Sequence, residues 1–88
     1  MSKINHFKAR VEIVLRQRGW SYRELARRLD KSPPRLQDIL ERGDPKMTLL
    51  QEIAKVLGVP PKYLLEEVTV EEYGKAFLPT MKQPEADN

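Results

Sequence analysis

The chain has 88 residues, a third of them charged, a net charge of +3 and no cysteine. Such a length supports one domain with a modest core, because a domain of this size buries only about 60% of the surface its unfolded chain exposes. Disulfide staples and thiolate metal sites are excluded, and no apolar run approaches the roughly 20 residues needed to span a bilayer.

Asn5 can cap a first helix running from His6 to Arg18, with Phe7, Val11, Val14 and Leu15 on one apolar stripe and Gly19 as its stop. Ser21, followed three places on by Glu24, has the form of a capping box and opens a second helix that buries Leu25, Ala26 and Leu29. Asp30, Lys31 and Ser32 make a tight turn. Ser32 caps a third helix, with Pro33 in the first helical position, Leu36, Ile39 and Leu40 facing inward and Gly43 after Arg42. Asp44-Pro45 is a further turn. Thr48, with Gln51 three places on, is expected to open a fourth helix that buries Leu49, Leu50, Ile53, Ala54 and Leu57 and stops at Gly58. Pro60-Pro61 starts a short fifth helix holding Tyr63, Leu64 and Leu65.

Beyond it, Thr69 and Glu72 form a third capping box for a short sixth helix over 69–78, with Val70, Tyr73 and Phe77 at helical spacing and Pro79 as its stop. Residues 79–88 are polar, lack periodicity and are expected to be a frayed tail. No segment shows the period-2 alternation of a strand. The expected architecture is therefore all-α, with one domain over 1–68 and an extra helix that docks or dimerises over 69–78.

Two short helices joined by a turn of about three residues form a helix-turn-helix, a unit that presents its second helix to a partner. Charge supports that role. Residues 1–43 hold 11 Lys and Arg against 5 Asp and Glu, whereas 44–88 hold 5 against 8, so the positive field lies on the half containing the motif. The opening MSKINHFKAR lacks the apolar stretch of a secretory signal, and the expected location is cytoplasmic.

Two patterns, Gly19-x-Ser21-x-x-Glu24-Leu25-Ala26-x-x-Leu29 and Ile53-Ala54-x-x-Leu57-Gly58-Val59-x-x-x-Tyr63-Leu64-Leu65, resemble the lambda-repressor-like, Cro-type helix-turn-helix (XRE) family over residues 11–65. The resemblance implies a compact five-helix domain, usually dimeric, that binds double-stranded operator DNA and represses transcription. It implies that Ser21 and Tyr22 lie near phosphate and that the start of the third helix reads base edges in the major groove. Carried onto this chain, the reading positions are Pro33, Pro34, Arg35, Gln37 and Asp38, beside the cap Ser32, while Lys46 and Thr48 match positions that often touch the backbone. Arg23 lies close to the same phosphates, and Arg35 is the leading candidate for direct readout. No cofactor or metal is implied.

The pattern departs from the family at two points. Relatives often pair an Arg near the end of the first helix with a Glu in the third; here both positions are apolar, Leu15 and Leu40. Losing both charges together is coherent, since one left buried alone costs roughly 3–5 kcal/mol. Pro33 and Pro34 stand where relatives carry hydrogen-bonding side chains, and Asp38 and Glu41 fall on the outward face, where acids repel phosphates. That face favours an alternative, a protein-binding module on the same scaffold, such as an antitoxin or accessory regulator.

The remaining candidates read as structural. His6, the one histidine, reads as an exposed polar residue, and Glu66-Glu67 and Glu71-Glu72 as solvated helix ends. Trp20 reads as packing between the first two helices, and Tyr22 as a ring that the core does not need and that is available to the DNA backbone. Arg27 and Arg28 can be a solvated face. No nucleophile–base pair or glycine-rich phosphate loop is present, so catalysis is not expected. For assembly, Tyr63, Leu65, Val70, Tyr73 and Phe77 are the expected homodimer contacts.

Overall fold

In the computed structural model, which describes residues 5–75, the Asn5 side chain accepts from the Lys8 amide at 3.0 Å and opens helix α1, His6–Arg18. Ser21 does the same for α2, Tyr22–Arg28, accepting from the Glu24 amide at 3.1 Å. Only half of the expected capping box forms. The Glu24 carboxylate turns forward to Arg27 and Arg28, each at 2.6 Å, because two guanidiniums on the next turn outbid one backbone amide. The turn that follows places Asp30 at φ 59, a left-handed geometry that Asp tolerates better than most residues. Ser32 then caps α3, Pro33–Arg42, by accepting from the Arg35 amide at 3.3 Å.

Helix α4 spans Met47–Leu57 and starts before Thr48, against expectation. The Leu50 amide reaches back to the Lys46 carbonyl at 2.8 Å, starting the helix two residues earlier, and no side chain caps it. Lys46 is therefore the capping position and Thr48 lies inside the first turn. The fifth element is a 3₁₀ turn, Pro61–Leu65. Residues 70–75 are helical, and Thr69 Oγ1 accepts from the Glu72 amide at 3.0 Å as its spacing with Glu72 predicts. The described residues contain no strand, and none of their helices is long and apolar enough to cross a membrane.

One core joins the helices. Val11 and Val14 from α1, Leu25 and Ala26 from α2, Leu36 and Leu40 from α3, Ile53 and Leu57 from α4 and Leu64 from the 3₁₀ turn are fully enclosed. Each large aliphatic among them contributes on the order of 1.5–3 kcal/mol. Leu15 and Leu40 are buried in this same cluster, so apolar packing occupies the place of the family's internal ion pair. Arg18 ties the ends of α1 and α4 together, its Nη2 donating to the Leu57 carbonyl at 2.6 Å.

Helix α1 has a second buried face. Ala9 and Ile13 pack on Val68 in a separate small cluster, and between the two faces lies Arg10, 2% exposed. Its Nη2 donates to the Glu67 carbonyl at 2.5 Å, its Nη1 to Glu72 at 2.6 Å, and its guanidinium lies 4.8 Å from the centre of the Tyr63 ring. Burial pulls the Arg10 pKa down, but the hydrogen bonds to Glu72 and Tyr63 outweigh it, and the net shift is upward. The same ion pair holds Glu72 below the usual carboxylate range. His6 is half-buried, not exposed, because its Nδ1 accepts from the Val68 amide at 2.9 Å. The segment after the 3₁₀ turn is thus folded back on its own domain.

Candidate nucleic-acid interface

On α3, packing divides the helix into two faces. Leu36, Ile39 and Leu40 are buried, whereas Pro33, Pro34, Arg35, Gln37, Glu41 and Arg42 are exposed and Asp38 is half-buried. Every reading position except Asp38 is therefore open to solvent. The two acids expected to repel phosphates are both paired. Asp38 lies 3.7 Å from Arg35 and 3.1 Å from Arg42, one turn away on each side. Glu41 bonds Lys8 of α1 at 2.5 Å, and this contact raises the Lys8 pKa. The outward face of α3 thus presents two arginine side chains, 62% and 75% exposed, with their shared carboxylate between them. Arg42 is hydrogen-bonded to that carboxylate through Nε, whereas Arg35 is only within ion-pair reach of it and keeps its donors free.

The start of α2 differs more from expectation. Tyr22 is half-buried and packs against the core, and its hydroxyl donates to Glu12 of α1. Burial, then the Glu12 hydrogen bond, raises its pKa. The sequence gives no sign of this, because Glu12 reads as one more polar position on α1. Arg23 remains exposed beside Ser21. Arg27 and Arg28 are held by Glu24, which they bring below the usual carboxylate range, and Arg28 also lies 4.1 Å over the Trp20 ring. Lys46 and Thr48 at the start of α4 are both exposed.

The matching family model bears the description helix-turn-helix, of the lambda-repressor-like (XRE) type, and covers residues 11–64. The chain belongs to that family. The match runs from the middle of α1 into the 3₁₀ turn and takes in α2, α3 and α4 whole, so this is a DNA-binding helix-turn-helix protein, and the family is one of regulatory domains, not typically enzymatic. No curated protein and no solved structure gives a significant match.

The residues expected to make a dimer contact are scattered. Leu65 is 56% exposed, Val70 80% and Tyr73 42%, while Tyr63 is half-buried beneath Arg10. Phe77 lies outside the described residues. The roles of Arg10 and Glu12, and the reach of the Asn5 cap across to α3, are not legible in a sequence that assigns α1 a single apolar stripe. Ala9 and Ile13, four apart and both apolar, were the signal for the second face.

Proposed function

We propose that this protein is a cytoplasmic transcriptional repressor that binds duplex DNA as a homodimer, with α3 of each subunit in the major groove. The observation that carries the reading is the pairing of Asp38 with Arg35 and Arg42, two cations to one acid, which offsets the repulsion that an outward acid would otherwise give. Arg35 takes a guanine edge, Pro33 and Pro34 meet thymine methyl groups, and Gln37 reads alongside them. Arg23, Lys46, Thr48 and the amides behind Ser21 and Ser32 meet phosphate. Tyr22, whose hydroxyl donates to Glu12, anchors the start of α2 to α1.

The subunit contact runs through residues 69–78, with Val70 and Leu65 turned outward while Arg10 clasps the segment to its own domain. Two half-sites then lie about 34 Å apart, one DNA turn. The test is Arg35→Ala on a selected duplex, expected to cost about 1–3 kcal/mol and to relax preference at one base pair. Uniform weakening with the preference intact makes Arg35 a phosphate contact. A parent protein with no duplex affinity at low salt favours the protein-binding alternative. For assembly, Val70→Lys and truncation after Val68 are both expected to shift the protein towards monomer in sedimentation.

A further inference from the structure

Helix α3 packs mainly on α2 and only lightly on α1, yet its far end is tied to α1 by polar contacts. The Asn5 amide group donates to the Leu40 carbonyl at 2.7 Å and to the Glu41 carbonyl at 3.2 Å, while its Oδ1 caps α1 by accepting from Lys8 at 3.0 Å. One side chain therefore satisfies the N-terminus of α1 and the C-terminus of α3 together. Two neighbouring features fit it. Lys8, one turn along α1, bonds Glu41 at 2.5 Å. Gly43 ends α3 at φ 66, and a Cβ there would stand 2.6 Å from Asn5 Oδ1, so the helix end is left bare where Asn5 sits.

We infer that Asn5 is a positioning residue for DNA reading, setting the attitude of α3 from the end opposite its reading residues. The inference rests on the assignment of α3 as the reading helix. Ten residues make a rod of about 15 Å, so a tilt of roughly 10° about one end moves the other by about 2.6 Å. A base-edge hydrogen bond tolerates only a few tenths of an ångström. Releasing the far end of α3 therefore blurs base discrimination and leaves phosphate attraction, which varies slowly with distance, almost untouched.

The experiment compares the parent with Asn5→Ser on a selected duplex and on the same duplex with one central base pair changed in each half-site. Serine caps α1 as well as asparagine does but is too short to reach α3 and changes no charge. The expected result is a folded variant whose discrimination between the duplexes falls about tenfold, the scale of one imperfectly read base pair, with an unchanged salt dependence. Equal discrimination by parent and variant overturns the role of Asn5 and leaves the reading helix standing. A parent that does not discriminate at all overturns both. Asn5→Thr, a comparable cap that also lacks the donor and adds no charge, decides the matter in the same way if the serine variant does not fold.

Discussion

Arg10→Met removes the guanidinium that clasps the segment after the 3₁₀ turn while keeping most of the buried stem. Four hydrogen bonds from the guanidinium are lost, two to the Glu72 carboxylate and one each to the Glu66 and Glu67 carbonyls. The two short ones, to Glu67 and Glu72, carry most of the effect at about 1.5–3 kcal/mol each before solvent is counted. Solvent reduces that sum. The Glu72 side chain is 42% exposed and regains water, so its share falls towards the surface-pair range of about 0–1 kcal/mol. Methionine also escapes the cost of burying a charge. The contact with the Tyr63 ring removes on the order of 1 kcal/mol more. The net loss is about 2 kcal/mol, or roughly 8–16 °C in melting temperature for a domain of this size. Chemical denaturation reads the first figure, and amide exchange at Val68, whose N–H bonds His6, reads the undocking directly. Arg10→Lys recovers little, because a point charge cannot span the Glu67 carbonyl and Glu72 at once. A loss under about 0.5 kcal/mol with Val68 still protected would refute the clasp.

Further variants probe other contacts. Asp38→Asn frees Arg35 and Arg42 and deletes an acid, so affinity for random duplex should rise a few-fold and the salt slope steepen by roughly one, read by titration at several ionic strengths. Leu40→Glu alone buries an unpaired charge and should cost roughly 3–5 kcal/mol in denaturation, while Leu15→Arg added to it recovers a large part. Glu72 has its pKa lowered by Arg10, so its contribution is complete above the ordinary carboxylate pKa of 4.5 and fades as pH falls through the depressed value. Stability to denaturant should therefore hold at neutral pH and fall in acid, and Glu72→Gln should reduce that dependence.

The helix order was legible in the sequence because its signals are local. Asn5, Ser21, Ser32 and Thr69 each cap a helix with the side-chain oxygen expected of them. Thr48 failed as a cap because a backbone bond from Leu50 to Lys46 competes for the same turn, and no pattern of residue types weighs that competition. The reading positions on α3 followed from the apolar stripe of Leu36, Ile39 and Leu40. What the spacing could not give was pairing between helices. Glu12 with Tyr22, Lys8 with Glu41 and Arg10 with Glu72 join positions far apart in the chain, and each changes what its surface offers to DNA or to a second subunit.

The central claim, that α3 reads a duplex in the major groove of paired half-sites, is tested most directly by selecting bound duplexes from a random pool at moderate salt. The account predicts enrichment of an inverted repeat with half-sites about one turn apart, bound with an affinity that falls steeply as salt is raised. Recovery of no sequence motif from a protein that is folded and duplex-competent at low salt would contradict it.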